Sequence, residues 1–578
     1  MRYTWLLALA CAGLHAQERP LSDFRQRVGA AIAAKATRVV IPPGVYRGVP
    51  EDNGACHLCW HGVSGLEIVA DGVTLLCGKP TRALAFDHCA DITLRGLTVD
   101  YDPLPFTQGD VAAVDAKAGW LDVKIHAGYP VEAYSRIDIC DRQTRYRKRG
   151  KPFMWDSKAE LRPDGVVRVT SRAAAEFAQV GDLASLGGFP PGVIAHAVVF
   201  DDCDRITLDR VTVHASNCMG IILAGGEGGH RLSGCRVVPG PTPAGATESR
   251  ILSTNADAIL CGPQRIGPVV ENCDIRDAGD DSWSIQSEDY VVVRVDGNQL
   301  WYAARGQSYA RLGDRLQARL GEPMPRITAL APLKRSEAGL DAATADKLAQ
   351  AKPWEFWKVS DTVMRCTLDA PVPFAVGQSI YNVDRQGNGF VFRGNRVRSS
   401  GRVLIKASGL VEGNTIDTPY GLCANPEIPA RAAAGIASLV IRGNTIIAAH
   451  TFNEFWQSSQ AGAISVTADD GDAKTMRPPG VYGRVVIEDN TIRGGNGVAI
   501  VVSSTDDLIL RGNKLIGIQH EKPNAQGGRY AIDNHAGVWL SQCAKVTYEG
   551  SSVSSAGEYL SQELVLGPGV SPTEPRTK

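Results

Sequence analysis

Along most of the chain, short segments of alternating apolar and polar residues close on the same small turn. Phe390-Val-Phe-Arg-Gly-Asn395-Arg-Val397, Gly409-Leu-Val-Glu-Gly-Asn414-Thr-Ile416, Leu439-Val-Ile-Arg-Gly-Asn444-Thr-Ile446, Val485-Val-Ile-Glu-Asp-Asn490-Thr-Ile492 and Leu508-Ile-Leu-Arg-Gly-Asn513-Lys-Leu515 share one pattern. Period-two alternation places half of each short strand inward. The Gly-Asn pair marks a bend that tolerates positive φ, and Asn side chains at equivalent bends can stack in a hydrogen-bonded ladder. The Asn positions are 19, 30, 46 and 23 residues apart, which reads as coils of about 20 to 25 residues with loop insertions. Earlier cousins are Asp91-Ile-Thr-Leu-Arg-Gly-Leu-Thr-Val99, Ile206-Thr-Leu-Asp-Arg-Val-Thr-Val213, Arg231-Leu-Ser-Gly-Cys-Arg-Val237 and Val269-Val-Glu-Asn-Cys-Asp-Ile275. The pattern predicts an all-β, right-handed parallel β-helix, a solenoid that grows along one axis.

Two stretches depart from the repeat. Residues 110–194 carry longer alternating strands such as Trp120-Leu-Asp-Val-Lys-Ile125, Arg136-Ile-Asp-Ile139 and Val166-Val-Arg-Val-Thr170. Residues 289–388 hold Val291-Val-Val-Arg-Val295, helical stretches near Ser308 to Leu320 and Ala338 to Lys352, and Val363-Met-Arg-Cys-Thr-Leu368. Both read as small barrel-like subdomains inserted between coils. The division is a signal peptide over 1–16, coils over 17–109, the first insertion over 110–194, central coils over 195–288, the second insertion over 289–388, C-terminal coils over 389–555 and a tail over 556–578.

Met1 to Ala16 has one basic residue, an apolar run from Trp5 to Leu14 and a small residue before Gln17, the pattern of a secretory signal peptide and too short for a membrane span. The expected location is secreted or periplasmic. Of the 14 cysteines, Cys203, Cys218, Cys235, Cys261 and Cys273 recur within the repeats and read as core thiols. Cys56-His57-Leu58-Cys59-Trp60-His61 has the spacing of a metal site, with Cys77 or Cys89 able to complete it, but no second C-x-x-C follows. The favoured reading is a covering segment with one disulfide or none, and no metal. A net charge of -1 with 21% charged residues gives no footprint for nucleic acid or an anionic membrane. A neutral glycan fits better.

The candidate chemistry lies in the central coils. Asn255-Ala-Asp257-Ala-Ile259 is followed by Asp277-Ala-Gly-Asp280-Asp281, and the step from Asp257 to Asp280 is 23 residues, one coil. Ala256 and Ala258 leave the Asp257 carboxylate uncovered, and Gly279 lets the bend present Asp280 and Asp281 together. Coils stack about 4.8 Å apart, so carboxylates on neighbouring coils can splay to about 6.5–9.5 Å, room for a water between an acid and a base. Mutual repulsion raises one proton affinity and makes that group an acid. A surface turn or a calcium site would use the same residue types.

An Asn-x-Asp coil followed one coil later by Gly-Asp-Asp resembles the β-helical glycosidases. The polygalacturonase-type pattern also carries a Gly-His-Gly coil after the Asp pair; here Ser282-Trp-Ser-Ile-Gln286 follows instead. The closer resemblance is to glycoside hydrolase family 110, secreted exo-α-1,3-galactosidases with barrel domains inserted in a β-helix. It rests on Tyr101-Asp-Pro-Leu-Pro-Phe-Thr-Gln-Gly109, Cys235-Arg-Val-Val-Pro-Gly-Pro241, Ser253-Thr-Asn-Ala-Asp257, Gly267-Pro-Val-Val-Glu-Asn-Cys273 and Ala278-Gly-Asp-Asp281. The resemblance implies an inverting hydrolase in which Asp280 is the general acid and Asp257 and Asp281 activate water. Ala258 stands where such motifs commonly have Gly. No cofactor is implied, and the partner is an oligo- or polysaccharide with terminal galactose.

Sugar binding uses flat apolar faces and forked donors. Trp283, two residues past the Asp pair, is the first aromatic candidate; Trp354, Trp357 and the Phe452-Asn-Glu-Phe-Trp456 loop are rim candidates. Arg402 and Lys406, about two coils past the acids, are candidates for holding hydroxyls. A polygalacturonase-like hydrolase, a polysaccharide lyase using Lys406 or Arg402 as base, and a non-catalytic glycan-binding protein stay open as alternatives on the same fold.

Overall fold

In the computed structural model the alternating segments stack coil on coil as parallel strands in three long ladders. The structure describes residues 17–51, 54–148, 157–188, 195–304, 306–340, 342–350, 362–427, 434–448, 460–469, 474–522 and 529–570. The segment read as a signal peptide, Trp354, Trp357 and the 452–456 loop lie outside these residues.

Each coil contributes one strand to each of three faces. Face one runs through Arg82–Asp87, Val198–Asp201, Ile221–Ala224, Ile259–Cys261, Trp283–Ile285, Val403–Ile405, Leu422–Ala424 and Ile464–Val466. Face two includes Val269–Glu271, Phe390–Arg393, Gly409–Glu412 and Ile436–Arg442. Face three is a 13-stranded parallel sheet that includes Asp274–Arg276, Arg396–Arg398 and Thr415–Asp417. The inward residues, among them Ile275, Val397, Ile416, Ile441 and Ile487, fill one continuous core along the axis. Helix Leu21–Ala33 closes the N-terminal end, with Leu21, Phe24, Val28 and Ala31 buried at helical spacing over the first coil. Such a cap shields an end that would otherwise expose the core.

The Asn residues of the repeated turn form a ladder between faces two and three. Asn414 Oδ1 accepts from the backbone N (2.8 Å) and Nδ2 (3.0 Å) of Asn395, and the same pair of bonds links Asn414 to Asn444, Asn444 to Asn490 and Asn490 to Asn513. Cys235 and Cys273 take the equivalent place in earlier coils, and Cys273 N donates to Asn395 Oδ1 at 2.8 Å. All eleven free cysteines among the described residues are buried, and Cys56 and Cys59 are joined as a disulfide. Replacing Asn444 by Ala removes the acceptor for two buried donors of Asn414 and the donor to Val411 O. We expect a loss of about 2–4 kcal/mol, from the desolvation cost of orphaned polar groups, read as a lower urea midpoint.

Both insertions are six-stranded antiparallel sheets, and they are topological twins. With strands numbered 1 to 6 in chain order within each, the order across the sheet is 3-6-1-2-5-4 in both. Each also has a bulge between strands 1 and 2, at Val111/Ala113 and at Val292/Arg294. The second curls until its outer strands meet at an antiparallel bridge between Arg315 and Arg326. Residues 308–320 are not helical as the sequence suggested: they run as turns and the short strand Leu316–Gln317, because Leu316 and Ala318 are buried in the barrel core and Gln317 pairs with Tyr381. Ala342–Gln350 is helical. The first insertion enters at the bend between faces three and one, the second between faces one and two, so they flank face one.

Candidate active site

Face-one strands Ile259–Cys261, Trp283–Ile285 and Val403–Ile405 are direct neighbours, with Ile259 beside Trp283 and Trp283 beside Val403. The bend entering each strand carries a charged group: Asp257 the first, Asp280 and Asp281 the second, Arg402 the third. Backbone bonds hold these bends together, Ala258 N to Asp281 O at 2.9 Å and Ser282 N to Arg402 O at 2.8 Å. Arg402 and Lys406 therefore belong to the very next coil, not two coils on; the hundred residues of the second insertion hide this adjacency in the sequence.

The three carboxylates differ in their surroundings. Asp281 is gripped by the Arg402 fork, Nε to Oδ1 at 2.8 Å and Nη2 to Oδ2 at 2.9 Å, with Arg402 N adding a bond at 3.1 Å. Asp257 is buried and accepts from Ser284 Oγ at 2.9 Å. Burial first, and then the charges of Asp280 and Asp281, push its carboxyl well above the ordinary range against the pull of Ser284 and Arg402. Asp280, half-buried, is pushed up to about 7 by burial and by Asp281, with Arg402, Arg136 and Arg147 pulling the other way. Asp257 and Asp280 thus compete for a proton that the site retains near neutrality.

Arg136 and Arg147, from the first insertion, brace the Asp280 bend. Arg136, fully buried, donates to the carbonyls of Gly279 and, at 3.2 Å, Asn255, and pairs with Asp138; Arg147 donates to Ala278 O at 2.8 Å. Asn255 Nδ2 in turn reaches the carbonyls of Pro105, Gly188 and Asn217 at 2.9, 3.2 and 3.1 Å, tying the Asp257 bend to both ends of that insertion. Neither arginine was singled out from the sequence, where Asn255 entered only as part of the Asn-x-Asp pattern. Arg136 and Asp138 alternate with Ile137 and Ile139 in what the sequence shows only as an alternating strand, and the strand is buried on both sides.

Past Asp281, Arg402 Nη1 also donates to Glu427 (2.9 Å) and Gln460 (3.1 Å), and Lys406 Nζ to Glu427 (2.6 Å) and Gln286 (3.5 Å). Burial works against the charge on Glu427, yet Lys406 and Arg402 hold its carboxyl well below the usual range. Lys406 is fully buried. Trp283 is not a sugar platform: it is 0% exposed and packs inside the core, stacked on Phe392 with ring centroids 4.7 Å apart. Gly401 is a shaping residue that was also missed. A Cβ there would lie 2.4 Å from Asp280 O and 2.9 Å from Asp281 Cα, so Gly401→Ala must displace the Asp pair. We expect about a 100-fold loss of turnover, the scale of an ångström-sized misplacement, with the fold retained, checked by kinetics alongside circular dichroism.

Beside the second insertion, a cavity of about 320 Å³ opens on face one, lined by Leu260, Gly262, Gln286, Glu288, Gln307 and Tyr309. Leu260 lies on the strand that follows Asp257, and Gln286 directly after the strand that follows Asp281. The aspartates themselves are not part of its lining. Glu288 at its edge is pushed up to about 8, by burial against hydrogen bonds from Tyr290 and Tyr309.

No protein-family profile matches the chain. A curated relative, alpha-1,3-galactosidase A of Bacteroides fragilis (strain YCH46), is 20% identical over 527 residues, covering 86% of this chain and 80% of the relative. Among solved structures, the catalytic unit of a thermostable GH87 alpha-1,3-glucanase from Streptomyces thermodiastaticus strain HF3-3 shares 14% identity at a TM-score of 0.33, over 98% of this chain and 70% of that one. The A-module of an Azotobacter vinelandii mannuronan C-5 epimerase shares 12% at 0.32, over 88% and 99%. The distant similarity to the curated galactosidase supports glycoside hydrolysis as the chain's class of chemistry. Among the described residues no helix is long and apolar enough to cross a membrane.

Proposed function

We propose that this chain is a secreted, inverting exo-α-1,3-galactosidase that removes terminal α-linked galactose from oligo- or polysaccharides. The observation that carries the reading is the Asp257, Asp280 and Asp281 cluster on adjacent coils, with one carboxyl proton retained near neutral pH beside an Arg-clamped carboxylate. In this reading Asp280 gives its proton to the glycosidic oxygen as the bond to the anomeric carbon breaks. A water enters from the opposite face of the sugar and passes its proton to Asp257, with Asp281 held as a carboxylate beside it by Arg402. The product is β-galactose and a shortened glycan.

The lyase alternative loses ground on Lys406 and Arg402. A lyase base must give up its proton, whereas Lys406 is ion-paired to Glu427, and Asp281 and Glu427 outweigh burial to keep Arg402 charged. The galactose specificity itself is carried by the sequence resemblance and by the name of the curated relative. The test is incubation with α-1,3-linked galactobiose followed by proton NMR. Early appearance of β-galactose is the expected result; α-galactose first would overturn the inverting mechanism, and no release by a folded protein would overturn the substrate.

A further inference from the structure

Three coils before Asp257, at the far end of the face-one strands, two imidazoles converge on one carboxylate. His61 ends Cys56–His61, Asp87 ends Arg82–Asp87, and the ladder sets the two residues directly side by side. His61 Nδ1 lies 2.7 Å from Asp87 Oδ2, and His88 Nδ1 lies 2.7 Å from Asp87 Oδ1. The two rings are 5.2 Å apart, and the three ligand atoms all fall within 4.8 Å of one another. The cluster lines the wall of a second cavity on face one, of about 420 Å³, together with Trp60, Arg82 and Gln307.

The far side of His88 is also built. Its Nε2 lies 3.3 Å from Asp202 Oδ2, on the next coil. Asp202 is fixed in turn by the backbone N of Gly226 at 2.8 Å and by Arg311 from the second insertion. A ring nitrogen engaged by a carboxylate while the other faces the ligand position is the arrangement that orients metal-binding histidines and raises their basicity. The C-x-x-C pair beside it takes no part, since Cys56 and Cys59 are bonded to each other.

We propose that His61 Nδ1, His88 Nδ1 and the Asp87 carboxylate bind a divalent transition cation of the Zn²⁺ class, with Asp202 orienting His88. Two imidazoles and one carboxylate suit Zn²⁺, Ni²⁺ or Cu²⁺, while Mg²⁺ and Ca²⁺ require mostly oxygen ligands. Zinc-to-ligand distances of about 2.0–2.1 Å place tetrahedral ligand atoms about 3.3 Å apart, so the 2.7 Å contacts need to open by roughly half an ångström. These side chains are 46–70% exposed and have that freedom.

The test is equilibrium dialysis of the untagged protein against Zn²⁺. About one Zn²⁺ per chain is expected, uncompeted by millimolar Mg²⁺ or Ca²⁺, with affinity at least tenfold weaker in His61→Ala and in His88→Ala and about tenfold weaker in Asp202→Asn. Cu²⁺ loaded into the unaltered protein should show electron paramagnetic resonance splitting from two nitrogens, a readout that needs no variant to fold. No binding at 1 mM Zn²⁺, equal binding in the His61→Ala/His88→Ala double variant, or a Cu²⁺ spectrum without two-nitrogen coupling would each overturn the site.

Discussion

Asp280→Asn is expected to lower kcat by at least about 1,000-fold, within the span a positioned general acid contributes, while leaving the solenoid folded. The amide keeps the shape of the carboxyl but has no proton to give. The unaltered enzyme should also lose activity as pH rises through about 7, because burial and Asp281 push the Asp280 carboxyl up to about 7. The same shift has a signed effect on stability. Between the ordinary Asp value, about 4, and about 7, the folded chain holds a proton that the unfolded chain does not. Folding stability therefore falls as pH climbs across that window. Asparagine does not titrate, so Asp280→Asn should melt higher than the parent at pH 8, with the difference shrinking toward pH 4. An active variant removes the acid assignment; a variant less stable than the parent at pH 8 removes the account of Asp280's burial.

The second large effect is expected at Arg136, far from Asp280 in sequence. Arg136→Met keeps most of the volume but leaves the Asp138 carboxylate, 1% exposed, with only Arg147 at 3.6 Å, and strands the carbonyls of Gly279 and Asn255. Breaking a buried ion pair from one side costs about 3–5 kcal/mol, and Asp280 loses one of the cations that lower its proton affinity. The variant should unfold at a clearly lower urea concentration, and the alkaline limb of its pH–rate profile should move upward. The double variant Arg136→Met/Asp138→Asn removes the orphaned charge and should recover part of the stability without recovering the pH profile. If single and double variants behave alike, or if the profile does not move, the first insertion does not act on Asp280 through this guanidinium.

The repeats were legible because a solenoid writes its period into the chain. Five Gly-Asn or Asp-Asn bends with flanking alternation are enough to set coil length, and the Asn ladder that they imply is present bond for bond. The coil-to-coil step from Asp257 to Asp280 and Asp281 was legible for the same reason. Trp283 was not, because inward or outward parity has to be counted from the Asp280-Asp281 bend, and alternation is interrupted there. Arg402 was placed a coil too far because the second insertion breaks the count. Arg136, Arg147 and Glu427 escaped altogether: the two arginines reach the site from an insertion that shares no period with it, Glu427 comes from the loop just past the next face-one strand, Leu422–Ala424, and a charge alternating with isoleucine looks the same whether it faces water or a carbonyl.

The order of strands within the two twin insertions bears on how the site could change without endangering the fold. In each, the first and last strands are neighbours, Thr107 opposite Leu186 in one and Asp289 opposite Tyr381 in the other. The chain leaves the solenoid and rejoins it at nearly the same point. The entropy of closing so long a loop is met inside the insertion, by its own antiparallel pairing, and the coils on either side are constrained no more than by a tight turn. The outer parts of either unit can be lengthened or trimmed while the coils keep their register, provided that the first keeps Arg136 and Arg147 on the Asp280 bend.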